Sequence, residues 1–458
     1  MTVVPGRPRP ARRGLTDFSL AVERSDIDGL GPIAGGGDWL DADRRAAFDA
    51  FEALPAESNM LYTTYIDLRT VQLEGARLTR SPRTEPITVA LPAGTDGLLV
   101  IDEGDLAGVA LSVAATAAGV RLTTVADLAR HDPERVRLLL DGGSILPPDD
   151  RFAQLTRALW SQGVVLDIPA GVRLERPIIV RWRAGAPDRA LLSRTLIALG
   201  EGAAATVLEE LVASGAGQPD AGQSFLAGTL EVRLASGARL ELASLQELPS
   251  TTVAFQHRNA VIGEGATLHW ALAQLGSRLV RSRVDNRLEG DRSSVEQVEI
   301  VFGGADQLFD LTSYTHHIGR DTTGNLLSKG ALLDRARSFM KGMIVIDRSA
   351  VGTDSFLGEF GMNLSKATRS VAIPSLEIDQ PDCRRAAHAS SVGPIDESQL
   401  FYLESRGIPP DEARKFIVLG FLEPVVARVP LTDAQDRLRG LLEDKWDAGM
   451  GAGAVTAA

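Results

Sequence analysis

A chain of 458 residues with 44% hydrophobic and 24% charged residues can bury a substantial core and has the length of two or three domains. Its formal net charge of −12 excludes a binder of phosphate backbones, which needs clustered Lys and Arg. The single cysteine, Cys383, excludes an intrachain disulfide and leaves a free thiol suited to a reducing cytoplasm.

Residues 1–162 read as a mixed helical and strand region. Arg12-Arg13-Gly14-Leu15 has the outline of a twin-arginine export signal, but Asp17, Glu23, Asp26 and Asp28 interrupt the apolar run that such a signal needs. The expectation is therefore a cytoplasmic protein. Trp39 to Leu54 places Trp39, Ala46, Phe48, Phe51 and Leu54 at near-helical spacing behind an acidic first turn, and Pro55 ends it. Ile87 to Leu91 and Leu98 to Ile101 predict strands. Pro148 to Trp160 predicts a second helix, with Phe152, Leu155, Leu159 and Trp160 on one face.

From residue 163 to 395 the texture changes to short apolar or alternating runs broken by glycine and small polar turns. Val164 to Ile168, Pro177 to Val180, Thr229 to Leu234, Ala238 to Leu242, Ala266 to Leu272 and Met343 to Ile346 belong to this series. Gly-Ala-Arg-Leu-Glu-Leu-Ala and Gly-Ala-Thr-Leu-His-Trp-Ala look like successive rungs of one repeat. Many short strands with glycine at the corners predict a mainly β architecture, and pattern alone leaves a β-solenoid and a sandwich both open.

Residues 396–458 read as a helical domain. Asp396 can cap a helix over Glu397 to Ser405 that Gly407 ends, and Pro409-Pro410 opens a second helix. Leu431 to Trp446 predicts a third, and the low-complexity tail Asp447 to Ala458 predicts disorder. Phe416 to Val429 is too short to span a bilayer and contains Glu423 and Pro424.

One cysteine cannot supply the thiolates that an iron–sulfur cluster held by one chain usually needs. The sequence also lacks a CxxC, a P-loop and a strand-to-helix GxGxxG. His388 stands among small residues (Ala386, Ala387, Ala389, Ser390) that leave an imidazole accessible as a metal ligand. Cys383 is flanked by Arg384 and Arg385, which would favour its thiolate, against the plainer reading of a surface thiol in a turn. Adjacent His316 and His317 on a strand would point to opposite faces and cannot both line one site. His257 and His269 read as isolated strand residues.

Three runs then carry a resemblance: Pro374-Ser375-Leu376-Glu377-Ile378, the stretch from His388 through Val392-Gly393 to Ile395-Asp396, and Leu400-Phe401-Tyr402-Leu403-Glu404-Ser405-Arg406-Gly407-Ile408. Together they resemble the C-terminal signature of the SufB/SufD family of iron–sulfur cluster assembly proteins. Lys329 to Gly342 and Asn363-Leu364-Ser365 are similar to further rungs of that family, and Glu57 to Tyr62 is a looser match. The resemblance implies a right-handed parallel β-helix core and a non-catalytic scaffold subunit with no stably bound cofactor. It implies a SufB-like partner and a SufC-like ATPase, with a transient cluster at a subunit interface and a homodimer as the alternative assembly. It makes His388 and Cys383 the candidate cluster ligands, and Phe401, Tyr402, Arg406, Phe416 and Phe421 the candidate docking surface for the ATPase. Where SufB carries Glu-His-Glu and a cysteine one rung earlier, this chain has Ala387-His388-Ala389 and Phe360-Gly361-Met362, which favours a SufD-like subunit over a SufB-like sulfur acceptor. A β-helix polysaccharide lyase using Asp379, Asp382 and Asp396 is disfavoured, because those residues fall in a turn and at a helix cap.

Overall fold

The computed structural model describes residues 17–30, 37–56, 67–80, 83, 87–140, 145–215, 222–429 and 432–456, with backbone only beyond residue 449. Arg12 to Leu15 and Glu57 to Tyr62 lie outside the described residues.

The N-terminal part holds helix α1 (Gly37–Ala53), strands β1 (Arg77–Leu78), β2 (Gly97–Asp102) and β3 (Asp105–Leu111), helix α2 (Val113–Ala117), strand β4 (Arg121–Thr124), and helices α3 (Val125–His131), α4 (Pro133–Leu140) and α5 (Arg151–Leu159). Phe48 and Phe51 are buried on one side of α1, as the helical spacing predicts, together with Leu40, Arg44 and Ala47, whereas Trp39 and Leu54 are half-buried and Ala46 is exposed. The run Ile87 to Leu91 makes only an isolated bridge between Thr88 and Val109, so the strand expected there is not formed.

Sixteen strands follow in a regular coil. The first eight are β5 (Gln162–Ile168), β6 (Ile178–Ala184), β7 (Arg189–Leu199), β8 (Ala204–Ala213), β9 (Ser224–Leu234), β10 (Arg239–Glu247), β11 (Thr252–Ile262) and β12 (Thr267–Gln274). The rest are β13 (Leu279–Leu288), β14 (Ser294–Gly303), β15 (Leu308–His317), β16 (Thr323–Leu332), β17 (Arg337–Ile346), β18 (Asp354–Asn363), β19 (Arg369–Ile378) and β20 (Arg385–Gly393). Odd strands pair in the order β19-β17-β15-β13-β11-β9-β7-β5-β4 and even strands in the order β20-β18-β16-β14-β12-β10-β8-β6-β2-β3. Every pair from β5 onward is parallel, while β2–β3 and β4–β5 close the N-terminal end with antiparallel pairs. This is a two-sheet parallel β-solenoid, which decides between the two architectures that strand pattern left open.

Successive rungs stack in register. One inward row runs Val207, Leu242, Trp270, Gln297, Leu326, Leu357 and His388; the next runs Glu209, Ser244, Leu272, Glu299, Ser328, Glu359 and Ser390. The interior is largely apolar and admits hydrogen-bonded polar groups along its length: Arg258 Nη2 donates to Glu209 Oε2 at 3.0 Å, Trp270 Nε1 to Asn286 Oδ1 at 2.9 Å, and Ser282 Oγ to Glu299 Oε1 at 2.8 Å. At one corner Gly202, Gly237, Gly265, Arg292, Asp321 and Gly352 all have positive φ. Each donates its N–H to a carbonyl of the following rung at 2.8–2.9 Å, and the last of these bonds ends on Asp382 O. Left-handed backbone is where glycine is favoured, and Asp is among the few others that tolerate it.

The outer faces of the sheets are covered at different places. Phe152, Leu155 and Leu159 of α5 and its C-cap Trp160, with Phe48 and Phe51 of α1, pack on Leu192, Leu196, Phe225 and Phe255 of the odd sheet. The ring centroids of Phe152 and Phe255 are 4.6 Å apart. Asp150 caps α5, its Oδ1 accepting from Phe152 N and Ala153 N, and it is clamped to the solenoid by Arg281 Nη2 at 2.6 Å, Arg283 Nη1 at 3.2 Å and His257 Nε2 at 3.1 Å. Burial would raise the Asp150 carboxyl, but Arg281, His257 and Arg283 outweigh it and hold the group well below the usual range. His257 is thus part of an ion cluster rather than an isolated strand residue.

Helices α6 (Glu397–Ser405), α7 (Pro410–Val426) and α8 (Thr432–Thr456) end the chain, and α7 and α8 run back along the even sheet. Val418, Leu422, Val425, Leu438, Leu442 and Trp446 meet Leu245, Ala273, Ile300 and Phe302 there. The tail expected to be disordered is helical to Thr456. Gly449 sits so close to Leu333 that a Cβ there would lie 2.6 Å from Leu333 Cδ1, so the helix is held against the solenoid beyond Trp446. Among the described residues no helix is long and apolar enough to cross a membrane.

Candidate functional site

The last rung has no neighbour. β19 and β20 are the outermost strands of their sheets, and their residues are half-buried or exposed where equivalent positions in earlier rungs are buried. The inward row that begins with Val207 therefore ends at a residue open to solvent, His388. Its Nδ1 lies 3.0 Å from the Pro374 carbonyl oxygen of β19. A carbonyl can only accept, so Nδ1 donates this bond, and in a neutral ring that leaves Nε2 as the acceptor. Second-sphere carbonyls orient ligating histidines in this way, and a neutral imidazole suits iron.

Cys383 occupies the final corner. Its neighbours are fixed by Gly352 N donating to Asp382 O and Arg384 N donating to Thr353 O, both at 2.8 Å, and the thiol is free and half-buried. The two arginines expected to act on it are committed elsewhere. Arg384 pairs with Asp321, and Arg385 Nε donates to Asp354 Oδ1 at 2.7 Å, both back along the solenoid. Cys383 and His388 are five positions apart on largely extended chain, which at ~3.3 Å per residue sets them well beyond a shared coordination sphere. No group of three or more His, Cys, Asp or Glu fit to hold a metal occurs among the described residues. The rung therefore presents an imidazole and a thiol at separate points of one open end.

Glu359 is the residue that sequence reasoning missed. It lies on the inner face of β18, paired with Ser390 of β20, and is 1% exposed. Ile373 N–H of β19 donates to its carboxylate, while Oε2 has no hydrogen-bond partner. Across the interior stands Gly342, where a Cβ would come within 2.9 Å of Glu359 Oε1 and 2.5 Å of Leu357 Cδ2; only glycine leaves the carboxyl its space. Burial, opposed by the Ile373 hydrogen bond, pushes the carboxyl up to about 7.

Besides His257 and His388, three histidines lie on the solenoid strands. His317 points inward, with Nδ1 at 2.8 Å from Thr322 Oγ1 and Nε2 at 3.0 Å from Ser355 Oγ, and burial pulls it down to about 3. His316 points the other way, 3.0 Å from Asp347 Oδ1, as adjacent strand residues must. His269 is half-buried on the outer face, and burial lowers it despite Glu296 and Glu241.

Beyond the open rung, α6 has no buried residue although it carries Leu400, Phe401, Tyr402 and Leu403. Phe401 is 73% exposed, Tyr402 57% and Phe416 58%. The exposed Arg406 guanidinium lies 5.2 Å over the Tyr402 ring. Phe421 differs from these four: it is half-buried against the solenoid, with Lys329 Nζ 4.7 Å from its ring and donating to its carbonyl at 3.0 Å. Phe416 and Phe421 also line a groove of about 480 Å³ with Phe360, Met362 and Ile417.

Comparison with known proteins accords with this geometry. The family model for the SUF system FeS cluster assembly SufBD core domain matches residues 182–421. The chain is similar to the iron–sulfur cluster assembly protein SufD of Bacillus subtilis, 28% identical over 328 residues that cover 71% of this chain and 74% of that protein. It is 27% identical to SufB of the same organism over 296 residues, covering 64% and 63%. A SufBD family protein of Staphylococcus saprophyticus is 27% identical over 292 residues, covering 64% and 62%. The chain spans just under two thirds of the length of these last two.

Proposed function

Because the chain belongs to the SufB/SufD family of iron–sulfur cluster assembly proteins and is a scaffold of the SUF system, we propose that it is the SufD-like subunit of that scaffold. It pairs with a SufB-like subunit through the uncovered edges of β19 and β20. A SufC-like ATPase docks on the exposed aromatic face of α6 and α7, at Phe401, Tyr402, Arg406 and Phe416, with Phe421 bracing that face from beneath. The chain has no catalytic step of its own, and it works in the cytoplasm with neither nucleic acid nor membrane as partner. The nascent cluster is cargo, formed at the subunit interface and not kept.

One observation carries this reading: a solenoid whose open end terminates on an exposed His388, its Nδ1 held by the Pro374 carbonyl, in a chain with a single thiol. One imidazole and one distant thiol cannot hold a cluster alone, so the partner's edge must supply the rest. Identity to SufD and to SufB relatives is nearly equal, at 28% and 27%, so subunit type rests on residues. Ala387 and Ala389 flank His388, and Phe360-Gly361-Met362 provides no thiol. The competing reading, a SufB-like sulfur acceptor that pairs with a second copy and holds the cluster itself, has only Cys383 as its thiol.

The test is co-purification of the tagged chain with SufB-like and SufC-like partners, followed by anaerobic reconstitution and assay of iron and acid-labile sulfide. A colourless isolated chain, and a ternary complex whose cluster yield falls on His388→Ala, is the expected result. Stoichiometric iron and sulfide on the isolated chain would refute it.

A further inference from the structure

We propose that α6 and the first half of α7 form an arm, hinged in α7 at Gly420–Pro424, that swings against the outer face of β18 and β20. The arm carries Phe401, Tyr402, Arg406 and Phe416, so what moves it rests on the docking reading just given, whereas the hinge rests on how α7 is built and held.

α7 is one helix of 17 residues with Pro424 inside it. Proline has no N–H to offer the carbonyl four residues back, so the helical bond that would end on Gly420 O cannot form, and the ring crowds that carbonyl. Gly420 is exposed, and a Cβ there would meet nothing within 4 Å, so no neighbouring element braces the weak point. Glycine is also the most permissive residue in backbone conformation. A helix bends at such a place, and the parts on either side can then move as separate rods.

The two halves are held very differently. After the hinge, Leu422, Val425 and Val426 are buried in the cluster that includes Ile300 and Phe302 of the even sheet. Lys329 Nζ grips the Phe421 carbonyl at 3.0 Å, and Arg439 Nη2 of α8 donates to Glu423 Oε1 at 3.0 Å. Before the hinge, α7 buries Ala413 and Val418 alone, and Val418 stands two residues from Gly420, where a swing displaces it least. Lys415 ties the arm to α8 through Asp447 at 3.3 Å and Glu443 at 3.7 Å. Both carboxylates are more than half exposed, and pairs of that kind hold weakly. The groove of about 480 Å³ lies between arm and solenoid, lined by Phe416 and Ile417 of the arm and by Phe360 and Met362 of β18. Closing it takes apolar surface out of water, the favourable direction. Pro394-Ile395-Asp396 alone join β20 to α6, so a pull on the arm reaches the edge strand that carries His388.

From Gly420 to Pro410 the arm measures ~15 Å at ~1.5 Å per residue, so a change of ~20° at the hinge moves its end by ~5 Å. Double electron–electron resonance on the full chain reads that shift, in a Cys383→Ser background with spin labels on Glu404→Cys and Lys366→Cys. A second pair, Ala427→Cys with Lys366→Cys, reports the fixed half, and all three labelled positions are exposed. The expected result is an arm-pair distance spread over at least ~5 Å, which a SufC-like ATPase narrows, beside one narrow distance for the fixed pair. The double variant Gly420→Ala, Pro424→Ala restores the missing helical bond and should narrow the arm pair without the ATPase. An arm pair that is narrow and unchanged in every state overturns the hinge, as does a spread that the double variant leaves as it was or that the fixed pair shares. If the double variant narrows the arm pair but the ATPase leaves the parent's spread unaltered, the hinge stands and the docking reading falls.

Discussion

Replacing Glu359 by Gln should stabilise the chain above neutral pH and leave it nearly unchanged in acid. The folded carboxyl is raised from 4.5 to about 7 because burial penalises its charged form. A group whose pKa is raised on folding favours the native state below its unfolded pKa, and that advantage is lost as pH rises through the folded value. For Glu359 the window is therefore pH 4.5 to 7. At 1.36 kcal/mol per unit, the shift corresponds to about 3 kcal/mol lost by pH 8 relative to pH 4. Gln occupies the same volume beside Gly342, keeps the Ile373 hydrogen bond and cannot ionise. The difference in unfolding free energy between variant and parent should thus grow from near its acid baseline at pH 4.5 to about 3 kcal/mol at pH 8. Urea unfolding of both proteins at four pH values, with the slopes checked for equality, gives that difference directly. His317, Asp150 and every other titrating group are common to both proteins and cancel. Parallel stability curves across pH 5 to 8 would refute the claim that this carboxyl is buried without adequate partners.

Two further outcomes follow from the packing. Asp150→Asn should leave Arg281 and Arg283 short of their shared buried anion and cost ~3–5 kcal/mol, seen as a lower melting temperature and early proteolysis between α5 and the N-terminus; an unchanged proteolysis pattern would mean the clamp does not hold α5. The double variant Phe401→Ala, Tyr402→Ala removes exposed rings and should keep stability within ~0.5 kcal/mol while weakening capture of the SufC-like ATPase in a pull-down; undiminished capture would remove α6 from the interface.

Much of this molecule is legible from residue order because a solenoid repeats its physics locally. The Gly-Ala-x-Leu runs at Gly237 and Gly265 mark corners where left-handed backbone is required, and those corners are where the structure puts them. His388 was found by its motif, but its chemistry comes from the Pro374 carbonyl, fourteen residues away and on the other sheet. Glu359 had a signal that went unread: strand alternation from Leu357 places it inward, against the habit of assigning a strand glutamate to solvent. Adjacency misled at Cys383, since Arg384 and Arg385 pair with aspartates two rungs and one rung below rather than with the neighbouring thiol. The resemblance puts Phe421 with the docking surface, and only the course of α7 over Lys329 turns it inward. The helical tail was illegible for the same reason, because Gly449 matters through its contact with Leu333.

The clamp on α5 also sets a timetable. Asp150 is made early, but its partners Arg281 and Arg283 stand 131 and 133 residues further along the chain. At the ~5–20 residues per second of translation, the carboxylate waits on the order of ten seconds before its cations emerge. Glu210 waits longer still, for Arg437 on α8, 227 residues away. Helix α5 is therefore clamped only once the coil has been made past Arg283, and the Glu210 pair closes only when α8 follows.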